Sequence, residues 1–271
     1  MAIRKRRWIS RGIAREAWVA DYVDQHGDRH IRTFRTKKDA DIWMAAARHE
    51  IGQGLHTAAS RAISVSEAVQ RWIEHSEAEG LEFGTIRQRQ QHLRLHVGPF
   101  IGREKLSDLT VPRIHEFDAQ LRAAGRSLAM RRKVLTNLKT ALSFAQGRGL
   151  VAQNVARGVR IKAAGREARG PLREGLDYPS RSELKALLDA AHGRWRPFLI
   201  TAMFTGMRAS ELRGLTWKDV DLGAGIIHVR RRADAWRTIG PPKSKAGKRN
   251  IPLPPIAINA LKNSRNVRRG R

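Results

Sequence analysis

FLITAMFTGMRASELRGLTWKDVD, residues 198–221, reads as two helices separated by a single glycine. Phe198, Leu199, Ile200, Ala202, Met203 and Phe204 leave little polar face, so the first helix is predicted to be core. Gly206 supplies the break. Arg208 then falls in the first turn of the second helix, where a cation opposes the macrodipole. Glu211, three residues on, suits the dipole and can pair with Arg208 across one turn. An Arg so placed beside a core helix has two readings. It either ties two helices together through an Arg–Glu pair or holds an anionic ligand.

Upstream of this stretch, Pro179-Ser180-Arg181-Ser182-Glu183 is a helix start, with Ser180 as N-cap and Glu183 as its capping-box partner. Leu184, Leu187 and Leu188 are expected to face the core. Downstream, Gly225 to Arg230 alternates like a strand, and Trp236–Ile239 and Lys248–Leu253 are two more. Lys243, Ser244 and Lys245 lie between the last two, which places Lys245 at or near a hairpin tip. Residues 176–271 thus read as a mostly helical unit with a small antiparallel sheet.

Residues 64–160 read as an all-helical unit. Ser64 opens a helix with Val65, Ala68, Val69, Trp72 and Ile73 as its apolar stripe. A second runs from Thr85 to Val97, with Arg87, Arg89, Gln90 and Arg94 outward. Pro112 starts a third, which ends near Ala124. Ser127 opens a fourth, carrying Val134, Leu135, Leu138 and Leu142, with Arg126, Arg131, Arg132, Lys133 and Lys139 on its other face. Four helices with basic outer faces form a bundle able to clasp a duplex. His92 and His96 stand at i, i+4 but lack a third ligand, so no metal site is assigned and they are read as phosphate-side or surface residues.

Residues 1–60 read as three short strands, around Trp8–Ser10, Ala17–Val23 and His30–Phe34, backed by a helix capped by Thr36. Arg4, Lys5, Arg6 and Arg7 lead a crowd of cations on this sheet. They are either a groove-reading surface or a solvated basic face. Linkers are expected at 52–60 and 158–175. The fold class is therefore multidomain α+β.

The composition agrees with a polyanionic partner. Lys and Arg number 53 against 25 Asp and Glu, a net charge of +28 spread over the chain. Nucleic acid is the commonest such partner, and an anionic membrane surface is the rival. No apolar run is long enough to span a bilayer, and MAIRKRRWIS has no signal-peptide core. The absence of cysteine excludes disulfides and thiolate metal sites. A cytoplasmic, DNA-associated protein is expected.

Taken together, these segments resemble the tyrosine recombinases, also called the phage integrase family. TGMRASELRGLTWKDVDL (205–222) resembles the family's first catalytic box, and PPKSKAGKRNIPL (241–253) resembles the segment that carries its catalytic Lys. The helical unit resembles the core-binding domain, and residues 1–60 an arm-type DNA-binding domain. The resemblance implies that Arg208 holds the scissile phosphate of double-stranded DNA, with Glu211 orienting it. Lys245 would protonate the leaving 5′-oxygen, with Lys243 as the alternative. The family's reaction keeps bond energy in a phosphotyrosyl link, so it needs no metal, ATP or other cofactor. The family pattern continues with a His-x-x-Arg box, a further His or Trp, and the nucleophilic Tyr. Here the two tyrosines, Tyr22 and Tyr178, both precede Arg208, and His228-Val229-Arg230-Arg231 precedes the Lys segment. So read, this is a C-terminally truncated member with no nucleophile, inactive in strand cleavage alone and monomeric in solution. The alternatives are a non-catalytic protein that occupies recombination sites and a general basic nucleic-acid-binding protein.

Overall fold

The computed structural model describes residues 1–54, 56–58, 62–163 and 172–269. The chain divides into two compact units, residues 1–168 and 169–271. Parts of both predicted linkers, residues 59–60 and 164–171, lie outside the described residues.

The first unit begins with an antiparallel sheet in the order β1-β2-β3, formed by β1 (Ala2–Ser10), β2 (Ile13–Val23) and β3 (Arg29–Phe34). A two-residue turn at Arg11-Gly12 joins β1 to β2 and sets Ser10 opposite Ile13. Only Trp18–Val23 of β2 pair with β3, so the turn end of the first hairpin extends as a two-stranded ribbon. Helix α1 (Lys37–Gly52) lies on the sheet. Thr36 accepts the Asp39 amide at its start, and Ala40, Met44 and Ala47 are buried beneath it. This is the predicted layer of sheet and helix.

The bundle follows in the same unit. It comprises α2 (Val65–Ala78), α3 (Phe83–His92), α4 (Gly98–Ile101), α5 (Val111–Ala123) and α6 (Leu128–Gly147). Val65, Ile73, Ile114, Phe117, Leu121, Leu138 and Leu142 close a continuous core, each 1% exposed or less. Ser64 and Ser127 accept the amides of Glu67 and Met130, the caps their sequence positions predict. The sheet module is joined to the bundle by an ion pair, Arg32 Nη2 to Asp108 Oδ1, at 2.9 Å.

Two expectations for the bundle fail. The predicted 85–97 helix is interrupted: Leu93–Val97 form a π-helical turn in which the Gly98 amide reaches the Leu93 carbonyl. His92, at the end of α3, and His96, within the π-turn, are each 4% exposed rather than at the surface. The Asn137 amide lies 2.8 Å from His92 Nδ1. Arg131, placed on the basic face by its charge, is 2% exposed. It stands three, four and seven residues before Val134, Leu135 and Leu138, which is the apolar face. It meets Asp118 of α5, Nε to Oδ1, at 3.2 Å.

In the second unit, α7 (Arg181–Ala190), α8 (Trp195–Thr205), α9 (Ala209–Gly214) and α10 (Pro255–Arg269) accompany a sheet in the order β4-β5-β8, of Val220–Asp221, Ile226–Val229 and Arg249–Pro252. Ser180 and Glu183 form the capping box expected of them. Ile200, Ile227, Val229, Ala257 and Leu261 centre the core. The apolar α8 is less buried than predicted, because its neighbours cover one side only. Ile200 and Thr201 are buried, whereas Phe198 and Phe204 are 41% and 46% exposed. Leu184 and Leu188 of α7 are half-buried and Leu187 is exposed.

The predicted strand at Trp236–Ile239 reduces to a miniature hairpin, β6 (Arg232–Ala233) with β7 (Ile239–Gly240). Its turn is shaped by Asp234, whose carboxylate accepts the amides of Trp236 and Thr238, each at 2.8 Å. Lys245 is therefore not at a hairpin tip. It begins a short 3-10 turn, Lys245–Gly247, that leads into β8. Helix α10 runs through the basic residues at 262–269.

Candidate functional site

The helix break at Gly206 is built by its own backbone. Gly206 is left-handed, at φ 60°, and its amide reaches the Ala202 carbonyl. One residue intervenes before Arg208, which is not in the first turn of α9 but is its N-cap, in extended conformation at φ −65°, ψ 149°. An N-cap is where a helix offers unsatisfied amide donors. Here Glu211, at the third helical position, reaches back to accept the Arg208 amide at 3.0 Å.

The carboxylate of Glu211 is 3% exposed, and its environment accounts for every lone pair. Oε1 accepts from Arg208 Nη1 at 2.9 Å and from Arg249 Nη1 at 3.1 Å. Oε2 accepts from the Arg208 amide and from Arg249 Nη2 at 2.9 Å. An ionised carboxylate offers about four acceptor sites, and all are used. Hydrogen bonds from Arg249 are the largest cause that holds the Glu211 pKa down, at about 2, with burial opposing. The same pairing raises the pKa of Arg249.

The two arginines are held differently. Arg249 lies on β8, opposite Val229 of β5, and grips Glu211 with both arms of its fork. Arg208 uses one nitrogen on Glu211, and its side chain is 70% exposed. A guanidinium has five donors, so most of this one faces outward, available to an oxyanion. Lys245 and Lys243 are exposed on the loop before β8. That loop is tied to the same cluster, because Arg249 Nη1 also donates to the Gly247 carbonyl at 3.2 Å. Arg208 is thus in an ion pair with Glu211 of its own helix, not one that ties two helices together, and it still presents a cation outward. Arg249 is absent from the sequence reading. Its position in Lys-Arg-Asn-Ile-Pro on an alternating strand marks it as facing one side, but only the fold supplies Glu211 there.

The basic residues assigned to DNA fall into three groups. On the sheet, Arg4 and Arg6 project to one face and Lys5 and Arg7 to the other, as strand alternation requires. Lys5 and Arg7 both reach Glu16, at 2.9 and 3.3 Å, while Arg4 is 3.6 Å from Asp21. On the bundle, Arg87, Arg132 and Lys133 are exposed, and Arg132 donates to the Ile161 carbonyl at 3.0 Å. Arg89 is half-buried, with its guanidinium 3.9 Å from the centre of the Trp72 ring, and Arg131 is inside the core. Neither tyrosine is at the Arg208 cluster's carboxylate. Tyr22 is 2% exposed, with its hydroxyl 3.1 Å from His56 Nε2 and its pKa raised by burial. Tyr178 is in the loop before α7. Among the described residues, no three His, Asp or Glu side chains gather to hold a metal, and no helix is long and apolar enough to cross a membrane.

The model of the phage integrase family matches residues 180–269, which contain the whole Arg208 cluster. Over these residues the chain is similar to the tyrosine recombinases of that family. It is 33% identical to a prophage integrase, IntR, of Escherichia coli over 138 residues, 51% of this chain and 32% of that one. It is 26% identical to an integrase of Streptomyces ambofaciens over 261 residues, 91% of this chain and 64% of that one. The chain thus spans between about a third and two thirds of the length of these curated relatives. Among solved structures, the Tn1549 transposon integrase in complex with transposon right-end DNA superposes with a TM-score of 0.64, at 19% identity. That match covers 77% of this chain and 66% of that one. A lambda integrase tetramer bound to a Holliday junction superposes with a TM-score of 0.58, at 17% identity, covering 96% and 74%.

Proposed function

We propose that this chain is a DNA-integration and recombination protein that binds duplex DNA and holds one backbone phosphate at Arg208, but does not by itself cleave the strand. The observation that carries this is the saturated Glu211 carboxylate. It fixes Arg208 at a helix N-cap while leaving most of its guanidinium exposed, the arrangement needed to receive the oxygens of a phosphodiester. Lys245 stands where the acid for a leaving 5′-oxygen would be needed, a step this chain does not complete alone, and Lys243 is a phosphate contact. Residues 1–60 act as the arm-type domain, 64–160 as the core-binding domain and 176–271 as the catalytic portion. The exposed cations Arg4, Arg6, Arg87, Arg132 and Lys133 line the duplex. No metal or cofactor takes part.

The reaction needs a nucleophile: Tyr22 is buried in the sheet module and hydrogen-bonded to His56, and Tyr178, although 48% exposed, precedes α7 and is not among the partners of the Arg208 cluster. On this reading the described residues occupy DNA without cutting it, and are monomeric before they meet it. The test is binding to duplex DNA over a range of salt, followed by incubation with a suicide duplex and denaturing electrophoresis. Affinity should fall steeply with salt, and no protein–DNA adduct should form. An adduct would overturn the non-cleaving reading. Salt-independent binding would overturn the DNA reading.

A further inference from the structure

Arg249 touches both sides of the site, and no other side chain described above does so. Through Glu211 it reaches Arg208: Nη1 and Nη2 fill one acceptor position on each carboxylate oxygen, at 3.1 and 2.9 Å. Through the Gly247 carbonyl, at 3.2 Å, it reaches the turn that begins at Lys245. Its backbone is fixed independently of either, in β8 opposite Val229, a strand of the core. The geometry is thus a rigid strand from which one planar fork extends to two less regular segments. One is the N-cap of a six-residue helix and the other is a three-residue turn.

The consequences follow from lone-pair counting. Without Arg249, two acceptor positions on Glu211 open. The carboxylate can then rotate toward the nearest cation, Arg208, and draw more of that guanidinium onto itself. Arg208 would give up donors that now face outward. The Lys245 turn would lose the hydrogen bond that ties it to the strand. Charge alone cannot do this work, because a lysine at 249 keeps the cation but has no planar fork with which to reach three oxygens.

We infer that Arg249 is a positioning residue of the phosphate site: it clamps Glu211 and the Gly247 carbonyl together, so that Arg208 and Lys245 are presented to a backbone phosphate as one unit. The inference rests on Arg208 being a phosphate ligand, and the experiment separates the two claims. The side-chain Nε–H resonance of Arg208 is assigned in the full chain by its loss in R208K, then followed as inorganic phosphate is added. It is measured in wild type, R249Q and R249K, with hydrogen exchange at β5 and β8 reporting that each variant is folded. In wild type the Arg208 resonance should shift with phosphate. In R249Q and R249K its response should weaken about tenfold, the loss expected for one charge-assisted hydrogen bond out of place. If R249K responds as wild type does, Arg249 only balances the charge of Glu211 and the positioning role is refuted. If Arg208 does not respond in wild type, its role as phosphate ligand fails, and the inference with it. Should R249Q not fold, R249K decides the matter alone.

Discussion

Replacing Glu211 by Gln tests the centre of the second unit. The substitution keeps shape and removes charge. The carboxylate is ionised to a pKa of about 2 in the fold against an ordinary 4.5. A depressed acid stabilises the fold above its unfolded pKa and loses that contribution as pH falls through the folded value. The window is thus pH 4.5 down to about 2. At 1.36 kcal/mol per unit, the shift is worth about 3 kcal/mol at neutral pH. The group is 3% exposed, so solvent screening takes little from this figure. Hydrogen exchange read by mass spectrometry on peptides spanning β5, α9 and β8 isolates the second unit from the first. E211Q should lose about 100-fold in protection there at neutral pH, with no change in α2 or α6. In a denaturant titration read on the same peptides, wild type should lose more stability than E211Q as pH is lowered from 4.5. A residual slope from Asp219 and Glu183, whose pKa values are also depressed, will remain in both. Protection in E211Q within about threefold of wild type would refute the claim that this carboxylate binds the cluster together.

Three further outcomes are expected. A Cβ at Gly214 would meet the Arg232 backbone at 2.7 Å, so G214A should push β6 off α9 and destabilise the second unit by about 2 kcal/mol or more, measured by the same exchange. For buried Arg131 and its partly exposed partner Asp118, R131A should cost about 2 kcal/mol in chemical denaturation of the first unit. R131M, which replaces the pair's cation by an apolar chain, should cost less and leave the salt dependence of DNA binding unchanged. The pKa values of His92 and His96 are lowered by burial, helped by Lys133 beside the first and Arg126 beside the second. A base depressed in the fold destabilises it as pH falls from the unfolded value near 6.5 toward the folded one. The thermal midpoint of the bundle should therefore drop below pH 6.5, and drop less in H96L.

Helix starts were the most legible feature of this sequence. Thr36, Ser64, Ser127 and Ser180 each accept the amide three residues on, because capping is a local matter of one hydroxyl and one donor. The three strands of the first sheet were legible from the turns between them, but β1 and β2 begin at Ala2 and Ile13, before the predicted Trp8 and Ala17. What failed depended on neighbours distant in sequence. His96 turns inward within the π-turn at Leu93–Val97, which has no composition signal, and His92 is buried at the end of the helix before it. Phe198 and Phe204 looked like core because apolarity does not say which sides of a helix have partners. The Arg208–Glu211 pair was legible at three residues' spacing. Arg249, 38 residues beyond Glu211, was not, since nothing local connects them. Arg131 was misplaced although its spacing to Val134, Leu135 and Leu138 gave it away. Charge outweighed periodicity in that reading, and periodicity was the better guide.

That error bears on what a net charge of +28 means. Cation count does not measure the surface offered to a polyanion, because the fold spends many of these cations internally. Arg131 is in the core, Arg89 covers Trp72, Arg113 is paired with Glu104, Arg32 with Asp108, and Arg249 with Glu211. Each of these holds two elements together and would have to abandon its partner to meet a phosphate. The sheet divides its remaining cations between two faces. The electrostatic footprint on a duplex is therefore set by the exposed subset and its arrangement, and at Arg208 by something more specific than charge. There a buried carboxylate, filled by its neighbours, leaves a single guanidinium fixed and outward-facing. If, as proposed, Arg208 receives a backbone phosphate, its choice of one phosphate among many rests on that constraint, which a solvated surface arginine does not have.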